Sequence, residues 1–163
     1  MATTYSSIYD EFLDRINDPD LLRLNDDDQE ATKRAYLEYA VDKCREFVTD
    51  IDLDDRTTVE VDPESEYYDP LAPSEGAFAA DLPHSVCVML SQYMVVGWLQ
   101  RYVNNADLLR LHMNTKDFNT TSPANLVEKI GVRFDEARRR ARSLRNEYTF
   151  AVNDVSTLST KNK

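Results

Sequence analysis

Few residues in this chain have the type and spacing to do chemistry. There are two histidines, His84 and His112, and two cysteines, Cys44 and Cys87, among many carboxylates. Nucleophilic or acid–base catalysis needs a poised set of such groups within reach of one another. His84 follows Pro83 at a helix start, and His112 stands in a short apolar stretch with no second histidine beside it, so each reads as structural or solvated. The cysteines lack C-x-x-C spacing and fall in apolar helical patterns, which suits buried free thiols better than a disulfide or a metal site. A Gly-rich phosphate loop, H-E-x-x-H and G-x-S-x-G are all missing from the sequence. No catalytic residue, metal or cofactor is therefore expected. An enzyme or metal protein built on His112 and nearby carboxylates is the weakest reading.

The sharpest charged feature is basic: Arg138, Arg139, Arg140 and Arg142, flanked by Arg133 and Arg145. Clustered guanidinium groups can neutralise phosphates, which would make a nucleic-acid-binding or regulatory protein using residues 133–145. They can equally pair with carboxylates of protein, within the chain or between subunits, and a helix C-terminal end favours cations through its dipole. The charge distribution favours the second chemistry. Residues 1–81 hold 23 Asp plus Glu against 7 Lys plus Arg, whereas residues 82–163 hold 7 against 12, within a net charge of −11. The acidic half repels nucleic acid and membrane surfaces, and the basic half can meet an acidic protein patch.

The element that must present these arginines is a long amphipathic helix over Ser122 to Phe150. Val127, Ile130, Phe134, Ala137, Ala141, Leu144, Tyr148 and Ala151 recur at steps of three and four, the spacing of an apolar seam facing a partner. Ser122 as N-cap and Pro123 at the first helical position mark its start. Upstream, Leu82 to Gln100 carries no charged residue and predicts a helix from about Asp81 to Val103, apolar nearly all round and so enclosed by its own chain or another subunit. Pro83, His84, Ser85, Ser91 and Gln92 dilute this run, and no basic flank anchors its start, which argues for a core helix over a membrane span. Gly97 would permit close approach of a neighbouring backbone.

Two further helices are expected before it. The first spans Thr4 to Ile16 with Ile8, Phe12, Leu13 and Ile16 on one stripe. The second starts near Asn25, where Asp26, Asp27, Asp28 and Glu30 suit the positive end of a helix dipole better than a calcium loop. It continues through Ala31, Ala35, Tyr36, Tyr39, Ala40, Cys44, Phe47 and Val48. From Asp50 to Ala80 helical periodicity fails. Thr57 to Val61 alternates like a short strand, so a small hairpin is possible in this acidic loop before Asp62-Pro63 ends it. Tyr67, Tyr68 and Phe78 either pin the loop to the helices or contact a neighbouring chain. A short helix over Ala106 to Met113 and a loop over Asn114 to Thr121 precede the last helix.

With 163 residues, only 3 Gly, 42% apolar and 30% charged residues, the expected fold class is all-α: one compact helical bundle over residues 1–152 with a flexible tail over 153–163. The N-terminus lacks the basic region and apolar core of a secretory signal, so the cytoplasm is expected as the place of synthesis.

One combination of motifs has a family likeness. An apolar helix ending in Gly97-Trp98-Leu99-Gln100-Arg101-Tyr102, then Leu108-Leu109, Asn114-Thr115-Lys116-Asp117-Phe118, and Ser122-Pro123-Ala124-Asn125-Leu126 opening a long final helix resembles the head-tail connector (neck or adaptor) proteins of tailed bacteriophages. The resemblance covers residues 81–150; the acidic stretch Asp50 to Tyr68 departs from it most. It implies a structural virion protein that assembles as a ring, commonly dodecameric, between the portal protein and the next neck, stopper or tail protein. Such a ring extends the channel through which genomic DNA passes without specific binding. It implies a place in the virion neck, host cytoplasm during assembly, and no membrane. On that reading Arg133, Arg138, Arg139, Arg140, Arg142 and Arg145, with Asn153, Lys161 and Lys163 of the tail, meet the portal or an adjacent subunit. Lys116, Asp117, Phe118, Ser122 and Pro123 position the last helix.

Overall fold

The computed structural model describes residues 2–16, 18, 21–61, 63–64, 70, 74–105 and 123–152. The short helix expected over 106–113, the loop with Lys116, Asp117 and Phe118, the cap Ser122, Tyr67, Tyr68 and the tail with Asn153, Lys161 and Lys163 lie outside them. The described chain is mostly helical with a small sheet. In order come β1 (Thr3–Thr4), α1 (Tyr5–Leu13), a 3-10 turn (Leu21–Arg23), α2 (Asp26–Cys44), β2 (Arg56–Glu60), β3 (Ser74–Phe78), α3 (His84–Asn104) and α4 (Pro123–Val152).

Helix α3 is the centre. Val86, Met89, Leu90, Met94, Val95, Val96 and Leu99 are buried, and α1, α2 and α4 all pack against it. The enclosure that its all-round apolarity demands comes from the same chain. Each fully buried Leu, Val or Met side chain contributes about 1.5–3 kcal/mol relative to exposure. Its two polar core residues are satisfied: Ser91 Oγ donates to the Val88 carbonyl at 2.9 Å, and Gln92 Nε2 donates to the Ala137 carbonyl of α4 at 3.2 Å. On α4 the expected seam faces α3, with Ala137, Ala141 and Tyr148 buried and Phe134 and Leu144 packed beside them, while Ala151 is exposed.

The other helices follow the sequence with shifts that have physical reasons. Helix α1 begins one residue later than expected because Thr3 and Thr4 are taken into the sheet, and it gives way after Leu13 to tighter turns, Arg15 N to Phe12 O and Ile16 N to Leu13 O. The Ser6 amide in its first turn donates to the Glu75 carboxylate of β3 at 3.3 Å, so an acid from the sheet complements the helix dipole. Helix α2 starts as expected: Asn25 Oδ1 accepts from the Asp28 amide at 2.8 Å, and Asn25 Nδ2 donates back to the Asp28 carboxylate at 2.9 Å. Its inward stripe differs from the one expected. Leu37, Ala40, Val41 and Cys44 are buried, whereas Ala31 and Ala35 are exposed, because the larger aliphatic side chains decide which face turns inward.

The expected strand near Thr57 exists, but it is one of three, in the antiparallel order β1-β3-β2. Arg56 pairs with Phe78, Thr58 with Gly76 and Glu60 with Ser74, and Thr3 pairs with Phe78 on the other edge of β3. A purely helical fold is corrected to that extent. The central strand carries Gly76 because the Tyr5 ring lies on it: a Cβ there would sit 2.4 Å from Tyr5 Cε2. Phe78 is fully buried, edge-on to Tyr5 with centroids 5.4 Å apart and under the Arg56 guanidinium at 4.2 Å. It pins this region to the helices of its own chain.

The turn after α1 is tied down by one buried carboxylate. Asp18 is 8% exposed; it accepts from the Leu21 amide at 3.1 Å, from Trp98 Nε1 at 2.6 Å and from the Tyr102 hydroxyl at 3.0 Å. The Trp98 and Tyr102 rings stand edge to face, 5.3 Å between centroids, so the carboxylate joins the α1–α2 connection to the last turns of α3. Hydrogen bonds to a charged group are each worth about 1.5–3 kcal/mol, and their loss leaves buried donors unpaired. Asp18→Ala should therefore lower the unfolding free energy by about 2–3 kcal/mol and red-shift Trp98 emission, measured by urea titration followed by fluorescence; an unchanged midpoint would refute this role for the carboxylate.

Candidate functional site

The arginines of α4 are placed by its seam. Because Ala137 and Ala141 are the residues pressed onto α3, their neighbours Arg138, Arg139, Arg140 and Arg142 fall on the flanks and outer face, and all four are exposed, as is Arg133. Arg145 is half-buried. They do not form one patch. Arg138, Arg142 and Arg145 lean toward α2, while Arg140 stands on the α1 side. There burial, opposed by Glu11 and assisted by the Arg140 charge, holds the Arg15 guanidinium below its ordinary pKa.

Between α2, α3 and α4 the first group borders a cleft of about 470 Å³. Its cations are Lys43, Arg138, Arg142 and Arg145, its walls include Tyr39, Tyr93 and Phe134, and among the described residues no carboxylate lines it. The cations rest on aromatic faces: Lys43 Nζ lies 5.4 Å from the Tyr39 centroid, Arg138 5.4 Å from Phe134 and Arg145 5.9 Å from Phe47. A guanidinium laid flat on a ring keeps its in-plane N–H donors free for an oxyanion. Burial raises the Tyr39 phenol above its ordinary pKa against the pull of Arg138, and likewise Tyr93 against Arg145 and Arg142. Both phenols thus stay neutral at physiological pH and leave the cleft's charge cationic.

The cleft's rear wall is fixed by Gly97. A Cβ there would come within 2.9 Å of Tyr39 Cδ1, so the expected close approach occurs, but to an aromatic side chain and not to a backbone. The Tyr39 hydroxyl then donates to Gln100 Oε1 at 3.1 Å.

The arginines do not meet the acidic half of their own chain. Among the described residues no Asp or Glu forms an ion pair with Arg133, Arg138, Arg139, Arg140, Arg142 or Arg145. Arg139 reaches only the Asp135 backbone carbonyl, at 3.4 Å, and Arg145 the Asn146 side chain, at 3.5 Å. The intrachain form of the carboxylate-pairing expectation is not realised. The acids are instead held close to home, as in Arg45 with Asp54 at 2.7 Å and Arg56 with Glu38 at 3.3 Å.

Of the residues singled out for chemistry, Cys44 is fully buried and Cys87 half-buried, both free and both with thiol pKa raised, first by burial. His84 is exposed at the start of α3, with Nδ1 3.8 Å from Glu11 Oε1. His112 lies outside the described residues. Pro123 opens α4. Lys43, Tyr39 and Tyr93 were not singled out by sequence, since only the fold brings them to the arginines.

Unpaired surface arginines do not hold the fold together. Arg138→Gln with Arg142→Gln should leave the unfolding free energy from urea titration within about 0.5 kcal/mol of wild type; a loss well above that would show that these side chains brace the helices. No family model matches the chain, and no curated protein or solved structure is detectably similar to it.

Proposed function

We propose that this chain is a structural virion protein, a head-tail connector or adaptor that joins the portal vertex of a tailed-phage capsid to the next neck or tail component. It acts by assembly, as a ring that extends the DNA channel, and not by catalysis. The observation that carries the reading is the set of exposed α4 arginines without carboxylate partners among the described residues, on a molecule whose other half is strongly acidic. Oppositely charged surfaces that cannot satisfy each other within one molecule are suited to meeting between molecules, where they steer encounter and fix register. The likeness of residues 81–150 to neck proteins supplies the biological setting. The acidic half suits a channel through which DNA slides without being held.

Reversing four charges, Arg138→Glu with Arg139→Glu, Arg140→Glu and Arg142→Glu, should leave the far-ultraviolet circular dichroism helical and abolish co-purification with a portal protein. Retained portal binding would overturn the interface assignment. The same arginines also favour a second reading, a helical nucleic-acid-binding or regulatory protein. A connector of this charge should show negligible affinity for duplex DNA at physiological salt. Tight binding whose logarithm falls steeply with the logarithm of salt concentration would support the second reading instead.

A further inference from the structure

The cationic cleft has a complementary counterpart elsewhere on the same molecule. Asp26, Asp27 and Asp28 form the first turn of α2, all exposed. Asp28 is engaged in the cap with Asn25, but Asp26 and Asp27 make no hydrogen bond or ion pair. Of the other exposed acids on this side, Asp50 accepts from the Tyr148 hydroxyl, Asp52 from the Asp54 amide, and Asp54 pairs with Arg45, while Asp135 borders a separate shallow depression with Arg138, Arg139 and Arg142. Lys43, on the cleft's edge, lies near the opposite end of α2 from the aspartates. At 1.5 Å per residue that is about 24 Å along the helix, beyond the reach of any side chain.

We infer that the cleft bordered by Lys43, Arg138, Arg142 and Arg145 receives the Asp26-Asp27 turn of a second copy of this chain. The inference rests on the connector reading and names the contact between neighbouring subunits. Asp26 and Asp27 cannot reach the cleft of their own chain, so their pairing with it forms in trans. A two-fold contact would pair each cleft with the other copy's turn and close at a dimer, whereas one cleft-to-turn contact per neighbour, which a ring requires, joins two different surfaces and leaves one of each open. Such a heterologous contact propagates in one direction and closes into a ring when the rotation per subunit allows. The ring-stacked cations offer oriented donors, and a cleft of about 470 Å³ is of the size that buries a small group of side chains.

The test uses the full chain and two neutral variants: Arg138→Gln with Arg142→Gln to disable the cleft, and Asp26→Asn with Asp27→Asn to disable the turn, leaving the Asp28 cap intact. Sedimentation velocity at low salt should show wild type self-associating, and at high salt dissociated, since surface charges are then screened. Either variant alone should associate at least about tenfold more weakly, a change of 1.4 kcal/mol. Mixed one to one, the variants should form a dimer and nothing larger, because each contributes one working surface. Wild type that stays monomeric at low salt up to its solubility limit, or variants that associate like wild type, would overturn the inference. So would binding of a single-stranded oligonucleotide that the cleft variant loses while wild type stays monomeric. A chain found at the portal vertex yet monomeric would leave the connector reading standing and remove only this pairing.

Discussion

Everything in this structure follows from the need to cover α3. A helix apolar on every side cannot lie at a surface, and here three other helices of the same chain are committed to enclosing it. Helix α1 contributes Ile8 and Phe12, α2 contributes Leu37, Ala40, Val41 and Cys44, and α4 contributes Ala137, Ala141 and Tyr148. The use of alanine on α4 matters. Small residues on the inner face bring its axis close to α3, and long side chains at the intervening positions must then leave the interface sideways or outward. The arginines are exposed because the positions between them are needed for packing.

The same packing shapes the walls of the cleft. Gly97 admits the Tyr39 ring, Tyr39 is fixed by Gln100, and the cations of α2 and α4 lie on rings that are themselves held by the core. A recognition surface built on helices and stacked side chains is already ordered before a partner arrives, so less conformational entropy is lost on binding. The buried acid Asp18 is treated in the opposite way. Asp18 is surrounded by donors and serves the fold, whereas Asp26 and Asp27 are left in water.

Most of the helical frame was legible in the sequence, because α3 and α4 carry long runs whose periodicity admits one reading. Asn25 and the acids after it marked the start of α2 equally well. Its inward stripe was misjudged because alanines occur on several faces and tyrosines flank the true stripe, so counting apolar residues weighted Ala31 and Ala35 like Leu37 and Val41. Strand β3 was not legible. Ser74-Glu75-Gly76-Ala77-Phe78 has little strand propensity, and its place in the sheet is decided by Tyr5 on Gly76 and by pairing with Thr3, a partner more than 70 residues away. The arginine half of the site could be read from the sequence. The cleft could not, because Lys43, Tyr39 and Tyr93 reach the arginines only through the packing of three helices.

The separation of charge along α2 also bears on why arginines and not lysines predominate on α4. A lysine ammonium is a compact, strongly hydrated point charge that any acid can attract, while a guanidinium presents a planar fork that selects carboxylates arriving edge-on. Two of these forks lie over the Phe134 and Phe47 rings, which restricts where their donors can point. Stacked arginines thus give direction to an attraction that net charge alone leaves unoriented, and direction is what separates ordered assembly from precipitation of an acidic protein onto its own basic helix.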